Sequence, residues 1–534
     1  MRCHFLLLLW SLISVSVETD LSSEKVLVIS FDIVKSFHSH LMESLTLFLN
    51  TRYTVGFLCK KRQTIAQEAL RSSPDIDFFE YSSPNTEDIE QITINKNRHS
   101  SLDIISKIRL LTEQSTADRL SHPHLVDYIK FSNYSLIIYN SMDYGMPALC
   151  HFLNIPCIQV ISSGLGGVQN PLSLELMDQV PYTLAGFIDL NGLMKRLINT
   201  MLYVCDHMLR MYYFYPGIEH IVRRHQLIHH QETQSYWQIS ANTPKSTLIY
   251  SNSAIDCEIP IHKSYVRIGG AMLSNNRLSQ EYQDVMDRSS SGIIVVAFGR
   301  GSLELSDSFL QLLVETFSKL NHTIIWSVGS RASAITNVSA NLIVRKSIPQ
   351  NALLAHPNCK LFVTHAGLGS TVEAIYNAVP VIAIPIQADQ NTNAYQMTHN
   401  FQMGTYLNFH DLSHRTLQNA VSHVLTNQNY SKSAQTASLK LRACDSKTAD
   451  ERILEAIEEA IPSGNGVGNS KLKVSDRTQH WIKIIPTDIL VLISIIIFIV
   501  VVLLSLIVKG YKRSLASLSL TALFHQSNQR KKHA

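Results

Sequence analysis

Short, almost uncharged apolar runs recur along the chain. In the first half they fall at Lys25–Ser30 (KVLVIS), Thr54–Leu58, Leu136–Tyr139 and Cys157–Ile161. In the second half they fall at Ile293–Phe298, Ile324–Val328, Leu342–Val344, Leu361–Val363 and Val381–Ile384, with Ser264–Gly270 (SYVRIGG) between the two sets. Runs this short, bounded by turn residues, read as buried strands. Helical patterns separate them, at about Ser39–Asn50, Pro147–Leu153, Leu193–His225, Ser413–Leu425 and Thr436–Ala460. Alternation of strand and helix implies parallel sheets with helices on both faces. Residues 60–130 alternate helical stretches with polar loops and carry no readable chemistry.

Both ends break this pattern. Met1-Arg2-Cys3-His4 leads into an apolar run with small residues near Ser14 and Ser16, which reads as a secretory signal peptide over 1–17. Ile489–Val508 is twenty residues without a charge. At ~1.5 Å per residue such a helix covers a ~30 Å hydrocarbon core. Residues 462–488, which begin PSGNGVGNS, read as a lumenal stalk, and 509–534 as a cytoplasmic tail ending Lys531-Lys532-His533-Ala534. Basic residues flank the span on both sides, so the signal peptide sets the orientation.

The densest chemistry lies between Pro349 and Gln390. The strand at Leu361–Val363 stops at Thr364-His365-Ala366-Gly367-Leu368-Gly369-Ser370, a glycine turn that opens a helix containing Glu373. A helix start presents unpaired N–H groups and partial positive charge, and glycines admit a close anion, so a phosphate fits there. The next strand ends at Pro385 and delivers Asp389 and Gln390 to the same sheet edge, where ligands of open α/β sheets bind.

The order Pro349-Gln350, His356-Pro357, Thr364-His365-Ala366-Gly367, Ser370, Glu373, Pro380, Pro385, Asp389-Gln390 resembles the signature of the UDP-glycosyltransferases, in the membrane-bound, UDP-glucuronosyltransferase-like branch. The resemblance implies a GT-B-like α/β fold. Two doubly wound Rossmann-like domains would face a cleft, the acceptor domain over 18–245 and the UDP-sugar domain over 246–461, with one transmembrane helix at 489–508. It implies that His365 donates to the diphosphate with support from the backbone at Gly367, Gly369 and Ser370. Glu373 would accept the ribose hydroxyls, Gln350 would lie near the nucleoside, and Asp389 and Gln390 would hold the sugar. Arg300 stands where the family usually has a small serine; it either adds a phosphate contact or points to solvent. Ser347 replaces an aromatic residue that stacks on uracil in some branches.

The resemblance also implies a histidine base after the first strand. His38 matches, and His40 is the rival; an ordinary pKa near ~6.5 suits the role. The family orients this base with a carboxylate, but the aligned position is Asn140. An amide cannot stabilise an imidazolium with charge, and the equivalent change in a serine protease costs ~10⁴ in rate. Asp143, three residues on, is the candidate replacement.

Composition narrows the picture without redirecting it. The 534 residues are 45% hydrophobic and 16% charged, with a formal charge of +4 from scattered basic residues, which leaves no nucleic-acid footprint. Eight cysteines show no CxxC spacing, and their pairing is not readable. Asn133, Asn321, Asn337 and Asn429 begin glycosylation sequons. Asp75-Ile76-Asp77 and the His225/His229/His230 group are weak metal patterns, better read as polar surface.

The expectation is thus a single-pass type I protein of the endoplasmic-reticulum membrane with lumenal catalytic domains. It would move glucuronic acid or glucose from UDP-glucuronic acid or UDP-glucose to a small lipophilic acceptor, with no metal, cofactor or nucleic acid; a homo-oligomer is left open. The alternative is a catalytically impaired, membrane-anchored UDP-sugar-binding protein, motivated by Asn140 and Ser347.

Overall fold

The computed structural model describes residues 22–30, 37–60, 70–81, 101–162, 191–251, 264–299 and 305–461, apart from short gaps within these ranges and a few isolated positions outside them. The expected signal peptide, stalk, membrane span and tail lie outside the described residues, as do Arg300 and Asn337. Among the described residues no helix is long and apolar enough to cross a membrane.

Two wholly parallel sheets form the frame. The first contains β1 (Ser22–Ile29), β2 (Tyr53–Lys60), β3 (Ile76–Tyr81), β4 (Leu136–Asn140), β5 (Cys157–Ile161), β6 (Pro244–Ile249) and β7 (Tyr265–Arg267), in the order β3-β2-β1-β4-β5-β6-β7. The second contains β8 (Ile293–Ala297), β9 (Thr323–Ser327), β10 (Leu342–Arg345), β11 (Cys359–Thr364), β12 (Val381–Ala383) and β13 (Gly404–Tyr406), in the order β10-β9-β8-β11-β12-β13. Each sheet therefore has a point where strand order reverses, between β1 and β4 and between β8 and β11. A crevice opens at such a point, outside the carboxyl ends of the strands.

The helices that position the site are α1 (Phe37–Leu49), α2 (Ser101–Leu120), α3 (Met146–Leu153), α4 (Gln350–Ala355), α5 (Leu368–Tyr376), α6 (Gln390–Tyr395) and α7 (Ala449–Ala460). The strand period of two sorts the first sheet into two faces. Val26, Val28, Leu136, Ile138, Ile158 and Val160 pack with Leu41, Met42, Leu45 and Leu49 of α1. Leu27, Ile29, Ile137 and Tyr139 pack on the opposite face, with Leu120 of α2 and Leu149 of α3. Burying each such side chain contributes about 1.5–3 kcal/mol, so the pattern fixes which helix covers which face.

Three expectations are corrected. Ile76–Tyr81 within the stretch read as helix and loop is strand β3, an edge strand whose partly exposed middle weakens its apolar signal. The expected domain boundary at 245/246 falls inside β6, because β6 and β7 both pair into the first sheet. Helix α7 also returns to that sheet: Arg452 Nε donates to the Arg267 carbonyl at 2.8 Å, and Asp450 accepts from Met272 N–H at 2.7 Å. The helix expected over Thr436–Ala460 is two, Gln428–Arg442 and α7. The break is a capping box, in which Thr448 Oγ1 accepts from Glu451 N–H at 3.2 Å while the Glu451 carboxylate accepts from Thr448 N–H at 2.7 Å.

Cys444 is disulfide-bonded, whereas Cys150, Cys157, Cys205 and Cys359 are free thiols. The sequon residues Asn133, Asn321 and Asn429 are all exposed. Asp77 of the Asp-x-Asp pattern accepts hydroxyls from Tyr128 and Tyr134.

Candidate active site

At the second switch point β11 ends on Thr364 and the chain turns through His365 to Gly367, the N-cap of α5. Ala366 takes a left-handed φ of 62°, and its N–H donates to Thr364 Oγ1 at 3.1 Å. That bond ties the strained turn to the strand below it. The His365 ring lies between two glycines. A Cβ on Gly299, which follows β8 at φ +53°, would sit 2.8 Å from His365 Nε2, and one on Gly367 would sit 2.7 Å from the same atom. One ring nitrogen hydrogen-bonds the Ala297 carbonyl, and burial pushes the ring's pKa down to about 4. Nδ1 is buried with no partner among the described residues. No side chain caps the start of α5. With its other nitrogen donating to the Ala297 carbonyl, the neutral ring keeps a lone pair on Nδ1, so it is the open first-turn amides of α5 beside the ring that suit an anion.

The glycines carry a testable consequence. Gly299→Ala or Gly367→Ala is expected to displace the His365 ring, lower stability by about 1–3 kcal/mol and weaken UDP binding, read by thermal unfolding and calorimetric titration. Unchanged UDP affinity in both variants would show that the ring position is immaterial.

Around this turn the other expected donor-side residues converge. Gln350, first residue of α4, donates through Nε2 to Glu373 at 2.6 Å and to Ser370 Oγ at 3.1 Å. Gln390 is buried, and its Oε1 accepts from Ile386 N–H at 2.8 Å. Asp389 has its carboxyl pushed up by burial, against the pull of a 2.9 Å hydrogen bond from Asn393 Nδ2. That same amide donates to the Ala366 carbonyl at 3.1 Å. Asn393, which sequence reasoning missed, thus joins the Asp389 segment to the His365 turn. Its signal was its place four residues after Asp389, one turn of α6. Ser347 is exposed beside the half-buried Ile348.

The first switch point faces differently from what the alignment alone suggests. α1 begins at Phe37, which puts His38 at its first turn, on the face that α1 covers. Asn140 ends β4 in register with Val160, one of that face's core residues, and is fully buried. Asp143 goes the other way. Its carboxylate is ion-paired with Arg119 of α2, both buried, and Arg119 also donates to Tyr81 Oη at 3.3 Å. Tyr81 and Leu120 lie in the core of the opposite face. Burial raises the Asp143 pKa while the guanidinium pulls it down. The structure therefore brings Asn140 to the side of α1 and holds Asp143 on an arginine across the sheet.

Tyr250, which follows β6, has its phenol held above its ordinary range by burial and by the Glu373 carboxylate, so the exits of both sheets meet at one site. Two facing Rossmann-like sheets, one with an anion seat at its switch point, define a GT-B glycosyltransferase architecture. Residues 24–446 match the family described as "UDP-glucoronosyl and UDP-glucosyl transferase", and the chain belongs to that family. It is 27% identical over 315 residues to human UDP-glucuronosyltransferase 1A10, a match covering 57% of each chain. It is 28% identical over 279 residues to UDP-glycosyltransferase UGT5 of Dactylopius coccus, covering 50% of each. The chain thus spans little more than half the length of the curated relatives it matches. Among solved structures, an indoxyl-glucosylating UDP-glucosyltransferase from Polygonum tinctorium superposes with a TM-score of 0.56 at 16% identity, over 83% of this chain and 100% of that one.

Proposed function

We propose that this chain transfers glucuronic acid or glucose from its UDP conjugate to an oxygen of a small lipophilic acceptor, with inversion and without a metal or cofactor. The observation that carries the reading is the seat at the start of α5: open helix amides beside the buried His365 ring, with Glu373 held by Gln350 and Asp389 tied to the turn through Asn393. The diphosphate takes the seat, the ribose takes Glu373 and Gln350, and the sugar takes Asp389 and Gln390. Relatives named as glucuronosyl- and glucosyltransferases support the class of donor. His38 is the base in this reading. The uncharged stretch at 489–508 supports a tether in the endoplasmic-reticulum membrane, with residues 18–461 lumenal.

The test is UDP titration and product formation by the full-length protein, with Glu373→Ala alongside. Losing hydrogen bonds to a charged group costs about 1.5–3 kcal/mol, so the variant is expected to weaken UDP about 10–100-fold. Equal UDP affinity in the two proteins would remove the nucleotide from this cluster. A second reading, a UDP-sugar-binding protein without turnover, is favoured by the amide at 140 and by the engagement of Asp143 with Arg119. It predicts UDP binding with no sugar transfer to any acceptor.

A further inference from the structure

Asn393 holds two parts of the second switch point at once. It lies on α6, four residues after Asp389, and its own N–H donates to the Asp389 carbonyl at 3.0 Å. That spacing puts the two side chains on one helix face. The side-chain amide donates to Asp389 Oδ2 at 2.9 Å and to the Ala366 carbonyl at 3.1 Å. A carboxylate and a carbonyl only accept, so the arm between them is the NH₂ group, with both hydrogens engaged. Asn393 is 6% exposed and Ala366 0%, which keeps water from replacing either bond. Asp389 stands at the N-cap of α6, where a carboxylate ordinarily accepts from the first turn; here it makes no capping bond. Gln390 beside it is buried, with its Oε1 on the Ile386 N–H. Of the two, Asp389 is the one that keeps exposed surface. Burial pushes its carboxyl up and the Asn393 amide pulls it back, so the amide both aims the group and favours its ionised form.

We propose, resting on the transferase reading, that Asn393 is a positioning residue that determines how much of the donor's affinity comes from its sugar. In that reading Asp389 meets the sugar hydroxyls, and Ala366 belongs to the turn that seats the diphosphate. One amide fixes the distance between them. A sugar held at a set distance from its own phosphate bond presents its anomeric carbon in one pose. Without the amide the carboxylate loses its aim. The turn keeps a second tie, from Ala366 N–H to Thr364 Oγ1 at 3.1 Å. The loss therefore falls on the sugar and spares the nucleotide, because UDP offers Asp389 nothing to hold. Asn393 does not touch the reacting atoms; it acts through Asp389.

The experiment uses the solubilised full-length protein. It titrates UDP, UDP-glucuronic acid and UDP-glucose by calorimetry, and reads kcat and KM for each donor with 4-nitrophenol. Asn393→Leu keeps the volume and removes both donors. Losing a hydrogen bond to a charged group is expected to weaken the UDP-sugar about 10–100-fold, with UDP within about 3-fold of wild type. UDP then becomes a stronger inhibitor relative to the donor. Asp389→Ala is expected to give a similar loss, and adding Asn393→Leu to it to cost no more than about a further 3-fold, since residues acting through one contact are not additive. Equal losses of UDP and UDP-sugar affinity mark a merely structural amide and overturn the proposal. An additive double variant, or wild-type donor affinity in folded Asn393→Leu protein, overturns it as well, and each of these leaves the transferase reading in place. Should Asn393→Leu not fold, Asn393→Ser, which keeps a single short donor, is read in the same way. The affinities decide without turnover, and a wild-type protein that binds no UDP overturns both readings.

Discussion

Replacing Arg119 with methionine is expected to lower stability by about 3–5 kcal/mol, because it removes one partner of a buried ion pair and leaves the other charge uncompensated. Arg119 and Asp143 are 2% and 3% exposed, too deep for water to replace the lost partner. The deficit should depend on pH in a fixed direction. Burial already raises the Asp143 pKa; without the guanidinium it rises further above the unfolded value near ~3.9. A raised carboxyl is harmless below the unfolded pKa and destabilises increasingly as pH rises toward the folded one. The loss is therefore full at neutral pH and shrinks in acid. Adding Asp143→Asn to Arg119→Met should return most of the stability, since the unpaired charge is gone. Thermal unfolding of the wild type, both single variants and the double variant measures this. A single variant within about 1 kcal/mol of wild type would mean the pair is not the buried contact described. The same experiment separates two roles for Asp143: if it is purely structural, Asp143→Asn loses folded protein but keeps its turnover per folded molecule.

That question was not answerable from the sequence, and the reason is physical. The choice between Asn140 and Asp143 depends on which face of β4 each residue meets. Arg119, 24 residues upstream of Asp143, holds the carboxylate on the far face. It comes from the stretch at 60–130 in which no chemistry was readable. The donor side was legible because its signals are local. Two glycines, a helix start and a polar pair at fixed spacing determine a turn almost by themselves; Gln350 meets Ser370 and Glu373 there, and Asn393 ties Asp389 to the turn at Ala366. The domain boundary was misplaced for the opposite reason. β6 joins the first sheet by pairing with β5 across some eighty residues of chain, and β7 by pairing with β6; no local pattern reports that. The capping box at Thr448 and Glu451 was readable and would have split the last helix correctly.

The two switch points also differ in kind. The second switch point is closed by bonds among its own residues, Gln350 to Glu373 and Asn393 to both Asp389 and Ala366. The first switch point leaves Ser30 Oγ and Asn140 Nδ2 without hydrogen-bond partners among the described residues.

Acid should destabilise the donor-binding half through His365. Its pKa of about 4 lies below the ordinary value of 6.5, so between these values the unfolded chain binds a proton that the folded chain refuses. Stability then rises with pH across that window. It is fully present above 6.5, falls as pH drops toward 4, and levels off below. At ~1.36 kcal/mol per pH unit the total is about 3 kcal/mol. His322, His207 and His225 are also lowered by burial, so the wild-type slope alone does not isolate the ring. The difference between wild type and His365→Gln does, because glutamine has no titrating group. Unfolding midpoints from pH 4 to 7.5 should converge in acid and separate toward neutrality, with the variant the flatter curve. UDP should reduce the wild-type slope, since a diphosphate beside Nδ1 favours the imidazolium. Parallel curves for the two proteins would place the His365 ring in water rather than between Gly299 and Gly367, and with it would go the seat on which donor binding rests.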